Sequence, residues 1–264
     1  MQDFIIANKI PFTNGTLDIN PSVYSRIFLD VGLSSDAHHS ENWLRTNFGA
    51  IVFGFEPVPA NVQAILKGAG RHHTILNPTR ISRSFFLIPS ALGEPTSGNT
   101  TPFYLTTHDL GCSSLLPPKR FELLDVIDVP IFRLSDFLDL IPWHIYDHID
   151  FIKIDAQGKD LEIVKSGDKK ISKVFAICLE LDSDSYIGSN NTLFNALQYF
   201  LRNGFFPLSI GKKWKKINYI LKVFFYLLTR GIPSEYLIDT IDPCFVNLKL
   251  LKSQRVRSLK ITVD

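Results

Sequence analysis

The chain runs to 264 residues, 45% hydrophobic, 20% charged and 12% aromatic, with a formal net charge of +2, a balance that excludes a disordered chain. Its length fits one α/β core more simply than two domains, and 21 Phe against one Met predict a core filled with rings. Cys112, Cys178 and Cys244 are too scattered for a zinc or disulfide framework; with neither a secretory leader nor an apolar run of about 18 residues, a cytoplasmic protein is expected.

Residues 1–26 carry the turn signals Thr13-Asn14-Gly15 and Asn20-Pro21 and read as an N-terminal extension before a main domain over 27–264. The run 27–32 is almost wholly apolar up to Asp30 and Gly32, the pattern of a parallel strand buried on both faces. A helix is expected over 40–47, with Ser40 as its N-cap. A second buried run, 51–55, ends on Glu56-Pro57, and a helix over 61–67 closes at Gly68 and Gly70. A strand at 85–88 leads to Ser90-Ala91-Leu92-Gly93. The stretch 98–116 is rich in Gly, Ser and Thr; a short edge strand is expected at 103–105, and Ser113-Ser114 read as a surface turn, with a loop over the acceptor site as the alternative. A strand at 129–132 and a helix at 135–140 lead into the strand 148–155, which ends on Asp155. A helix over 161–165 stops at Gly167, and the strand 174–181 ends near Glu180. A helix over 192–202 closes at Asn203-Gly204. Strands at 205–210 and 244–250 then flank an insertion at about 211–235. Repeated strand–loop–helix units predict a Rossmann-like α/β sheet with helices on both faces, which binds ligands beyond the carboxyl ends of its strands. Asp30, Glu56, Ala91, Asp155 and Glu180 should gather at that edge.

Glu56 follows Gly32 by 24 residues, near the spacing of about 20 at which a Rossmann carboxylate meets a ribose diol. An acceptor-only carboxylate takes hydrogen bonds from both ribose hydroxyls; the other reading is a cap for the helix starting near Pro59. The loop Gly32-Leu33-Ser34-Ser35-Asp36 lacks the three glycines of a pyrophosphate loop, which counts against a nicotinamide dinucleotide. A sulfonium cofactor needs no phosphate cradle. Gly32 permits close backbone approach, Asp30 can orient the loop or face an ammonium group, and Ser34 or Ser35 can bond a carboxylate or simply meet solvent.

The runs 28–32 (Phe-Leu-Asp-Val-Gly), 53–57 (Phe-Gly-Phe-Glu-Pro), Ala91-Leu92-Gly93 and, above all, 150–167 follow one another in the order and spacing of one family's signature. Over about residues 28–181 the chain resembles the FkbM family of S-adenosylmethionine-dependent methyltransferases. The resemblance implies a Rossmann-like seven-stranded class I methyltransferase sheet, S-adenosylmethionine as donor, and O-methylation of a sugar, glycan or secondary-metabolite hydroxyl. It places Asp30 and Gly32 in the cofactor loop with Ser34 beside them, Glu56 and Pro57 at the ribose, Ala91 and Leu92 in the adenine pocket, and Asp155 at the reaction centre. Two departures stand out. The loop 32–36 replaces the usual Gly-Ala-Asn and following Gly, and Gln157 and Asp160 stand where Glu is common. A bulkier, more acidic loop that no longer held the donor would leave a non-catalytic binding or interaction protein on the same fold, the alternative function.

Methyl transfer is an in-line displacement at a carbon activated by positive sulfur, so the protein's share is alignment, desolvation and a base. Asp155 is the first candidate base and Glu180 the second, while His148 reads as structural. His38-His39 and His72-His73 have no third ligand at helical spacing, so no metal is expected. Between Asp184 and Glu235 there is no acid but Arg202, Lys212, Lys213, Lys215, Lys216, Lys222 and Arg230. The basic, aromatic stretch 212–228 reads as a helix packed on the core, with peripheral membrane contact as the alternative. The expected partner is a small-molecule or glycan acceptor, and not nucleic acid.

Overall fold

The computed structural model describes residues 1–71, 73–96, 98–211, 216–218, 220–221, 236–240, 242–252 and 259–263. In chain order these hold α1 (Gln2–Ala7), β1 (Phe12–Thr13), β2 (Thr16–Leu17), β3 (Arg26–Val31), α2 (His38–Thr46), β4 (Ala50–Phe55), α3 (Pro59–Lys67), β5 (Phe85–Ile88), β6 (Ala91–Leu92), β7 (Thr100–Thr106) and β8 (Leu123–Phe132). There follow α4 (Leu134–Leu138), β9 (Ile149–Ile154), α5 (Asp160–Ser166), β10 (Val174–Leu179), α6 (Leu193–Arg202), β11 (Phe205–Ser209), β12 (Tyr236–Thr240), β13 (Cys244–Asn247), α7 (Leu248–Lys252) and β14 (Leu259–Val263).

Seven strands form one mixed sheet in the order β11-β13-β10-β9-β3-β4-β5. From β10 to β5 neighbouring strands are parallel, and β13 lies antiparallel between β10 and β11. This is the class I methyltransferase-like sheet that the resemblance implies, and its strand order reverses between β3 and β9. The apolar runs explain themselves by pleating. Ile27, Leu29 and Val31 of β3 join the core on one face with Phe137 of α4, Leu161 of α5 and Phe200 of α6. Phe28 joins the opposite face with Trp43 of α2 and Ile65 of α3. Rings fill both layers: Trp43 meets Phe28 and Phe151 edge-on at 5.8 and 5.3 Å, and Phe137 meets Phe55 at 5.1 Å.

Four local expectations are corrected. Helix α2 begins at His38 behind a left-handed Ala37, so Ser40 lies inside it and donates to Asp30 Oδ2 at 2.6 Å instead of capping. The strand expected at 129–132 is β8, which starts at Leu123 and pairs with β7, the longer form of the edge strand expected at 103–105; the outer half of β8 is largely exposed and carries no continuous apolar signal. Helix α4 ends at Leu138, two residues before the predicted end. The last strand of the sheet stops at Asn247, whose Oδ1 accepts from Lys249 N at 3.0 Å and turns the chain into α7.

Residues 1–26 pack on the main core. Asn14 and Gly15, at φ +51° and +84°, close the β1–β2 hairpin; Ile5, Ile10, Leu17 and Ile19 are buried in the same cluster as β3. Among the described residues no helix is long and apolar enough to cross a membrane. Most of the basic stretch 212–228, and His72, lie outside the described residues.

Candidate active site

The residue after each central strand adds one rung to its neighbour's ladder. Gly32 N donates to Phe55 O at 3.0 Å, Glu56 N to Ile88 O at 3.1 Å, Asp155 N to Val31 O at 2.9 Å and Glu180 N to Ile154 O at 3.1 Å. The sheet therefore presents these four residues along one edge, around the point where the strand order reverses, where such folds form a ligand crevice. A cleft opens there. Gly32, Ser34, Glu56, Pro57, Ala91, Leu92 and Asp155 border it, whereas Asp30 and Glu180 do not. Its roof comes from β7 and the following loop, through Phe103, Leu110, Gly111, Ser113 and Leu115. Ser113 and Ser114 are thus buried rather than a surface turn: Thr106 N donates to Ser113 Oγ at 3.2 Å, and Ser114 Oγ donates to the Gln157 carbonyl at 2.6 Å.

Gly32 is required before any ligand enters. Its φ is +83°, and a Cβ there would stand 1.9 Å from the Asp155 carbonyl oxygen. In the loop that follows, Ser34 faces the cavity while Ser35 Oγ donates to Asp36 Oδ2 at 3.2 Å. Leu33 packs in the core and the buried Asp36 accepts from Arg71 N, so neither the bulk nor the acid of this loop enters the cavity. Asp30 sits beneath it; burial, only partly opposed by Lys153 and the Ser40 hydroxyl, pushes its carboxyl up to about 6.

Glu56 joins β4, α3 and the loop after β3. Its Oε1 accepts from Val58 N at 2.9 Å and Asn61 Nδ2 at 3.2 Å. Burial raises its pKa to about 7, against the lowering effect of these bonds and of the Ser34 and Leu33 N–H groups. The helix-start reading of Glu56 is therefore present in the structure, alongside its place on the cavity wall. Nearby, the fully buried Ser90 Oγ has no hydrogen-bond partner among the described residues. Val58, Ala91, Phe103 and Ile131 form an apolar cluster on this side.

At the other end lies a carboxyl pair. Asp155 Oδ2 is 3.1 Å from Lys153 Nζ, and Gln157 Nε2 is 2.7 Å from Asp155 Oδ1 and 2.8 Å from Glu180 Oε2. Burial favours the neutral form of both acids. At Asp155 the Lys153 charge and hydrogen bonds outweigh burial and hold the carboxyl low; at Glu180 burial and the adjoining Asp155 hold it high. The two adjoining acids are thus pushed apart, Asp155 toward its ionised form and Glu180 toward its neutral one.

A family model described as the methyltransferase FkbM domain matches residues 30–207. The chain belongs to the FkbM methyltransferase family. No curated protein matches it. The matched stretch of this FkbM chain contains the whole cavity wall, from Val31 to Ile163, and Glu180. His148 falls at the other end of β9 from Asp155, 3.8 Å from Asp150, remote from the cavity. The His38 and His39 rings lie 3.8 Å apart, tilted by 41°, and His39 stacks on Trp43 at 6.0 Å.

Sequence reading passed over Lys153, Ser90 and Tyr186, and saw Gln157 only as a departure. Lys153 had a signal, a lone charge inside an apolar strand, where a buried Lys needs a partner. Ser90 had a weaker one, beside Ala91-Leu92. Tyr186 had none: its hydroxyl reaches Gln157 Oε1 at 2.7 Å from a loop 29 residues away.

Proposed function

We propose that the protein is an S-adenosylmethionine-dependent methyltransferase acting on a hydroxyl of a sugar, glycan or secondary metabolite. The observation that carries this reading is a cavity lined by two carboxyls from different strand ends, Glu56 and Asp155, at the strand-order reversal. The residues present fit such a donor. Glu56 can accept from a ribose diol, the orphaned Ser90 hydroxyl can meet a polar edge of the base between Ala91 and Leu92, and Ser34 can bond the amino-acid end. Leu33 and Asp36 turn away from the cavity, which favours donor binding over the non-catalytic alternative.

When bound, the donor supplies a methyl group on positive sulfur. Asp155, kept ionised by Lys153, orients the acceptor hydroxyl and takes its proton as the oxygen attacks. Being a weak base, it accepts that proton late in the transfer rather than before it. Phe103, Leu110 and Leu115 cover the cavity and exclude competing water.

Calorimetric titration with S-adenosylmethionine and S-adenosylhomocysteine, with NADH as control, tests the reading. Saturable binding of the two sulfur ligands alone is expected, followed by methyl transfer in an acceptor screen that begins with sugars. Folded protein that binds neither sulfur ligand would overturn it in favour of a non-catalytic binding protein.

A further inference from the structure

Gln157 is held from every side. Its backbone is left-handed at φ +53°, a conformation that non-glycine residues keep only where the surroundings impose it. Its carbonyl accepts from Ser114 Oγ at 2.6 Å, and its Oε1 is 2.7 Å from the Tyr186 hydroxyl, which also lies 2.8 Å from the Cys112 carbonyl. A primary amide has two N–H donors. Both are used here, one on Asp155 and one on Glu180.

We propose that Gln157 is a positioning residue, clamping the Asp155 and Glu180 carboxyls at a fixed separation and tying them, through Tyr186 and Ser114, to the loop that roofs the cavity. The proposal rests on the reading of these two acids as the reaction-centre carboxyls. The clamp has an electrostatic side. Lys153 of β9, Asp30 of β3, Asp160 of α5, and Cys112 and Tyr186 from the loops above all face the pair. Among these, Lys153 is the cation, and the Gln157 amide adds two neutral donors that favour the ionised form of each carboxyl. A Glu in this place would set three acids within hydrogen-bond reach and, when ionised, would offer no donor.

Carbon-13 NMR titration of the side-chain carboxyls tests the clamp in the whole protein, comparing wild type with Gln157→Met and Gln157→Glu. Asp155→Asn and Glu180→Gln assign the two resonances. In Gln157→Met the apparent pKa of the pair should rise by about one pH unit, and in Gln157→Glu by more, while exposed carboxyls stay put. A merely structural role would lower thermal stability without moving these titrations. If Gln157→Met does not fold, the near-isosteric Gln157→Glu carries the test. Folded variants in which the pair titrates as in wild type would overturn the proposal. A shifted pair in a protein that binds no sulfur ligand would sink the proposed function and leave the clamp standing.

Discussion

Replacing Glu56 with Gln removes a titration that both folding and ligand binding feel. Burial raises the Glu56 carboxyl from 4.5 to about 7, so between those values the native state binds more protons than the unfolded chain. Stability therefore falls as pH rises. The contribution of the buried neutral acid is complete below pH 4.5 and lost above about pH 7; it amounts to about 3 kcal/mol. Urea unfolding of wild type and Glu56→Gln at intervals between pH 4.5 and 8 measures it. Gln is neutral throughout. The fixed cost of placing its NH₂ group near the Leu33 and Ser34 N–H groups cancels when slopes, not absolute stabilities, are compared. Wild type should lose about 3 kcal/mol more than the variant across the window. If the ionised carboxylate holds the ribose, S-adenosylhomocysteine affinity should also rise with pH through about 7 in wild type, with proton release, and stay level in Glu56→Gln. Parallel stability curves from two folded proteins would refute the claim that Glu56 is held neutral by burial.

Gly32→Ala forces a side chain into a positive-φ position and onto the Asp155 carbonyl. It should cost about 2–5 kcal/mol by chemical denaturation or leave no folded protein; a loss below about 1 kcal/mol would show that β3 and β9 separate easily there. Ser90→Ala removes a hydroxyl that no described residue bonds, so apo stability should hold or rise slightly. The same variant should weaken S-adenosylmethionine binding by about 0.5–1.5 kcal/mol in calorimetry; unchanged affinity would remove Ser90 from the donor site.

The strands of the main sheet were legible because burial on both faces leaves little choice of residue: Ile27 to Val31, Ile51 to Phe55 and Ile149 to Ile154 are apolar apart from Asp30, Gly54, Asp150 and Lys153. Their terminal residues, Gly32, Glu56, Asp155 and Glu180, were legible for the same reason, since a parallel strand must deliver whatever follows it to one edge. The full length of β8 and its pairing with β7 were not, because half of β8 lies in solvent and the pairing is set by a partner some 20 residues away in sequence rather than by its own pattern. Nor could the sequence rank Asp30 below Ser34 as a cavity residue. Alternation along β3 turns the Asp30 side chain toward Ser40, inside α2, and only the docking of that helix reveals the partner.

By itself, then, the sequence determined the sheet, its ligand edge and the family, because hydrophobic period and strand-end chemistry are local properties of the chain. Tertiary structure decided the surroundings of the carboxyl pair and the contacts of Gln157. Those depend on Lys153, Glu180, Ser114 and Tyr186 meeting across separate strands and loops, and electrostatic strength inside a protein is set by which groups are brought together and how far water is kept from them.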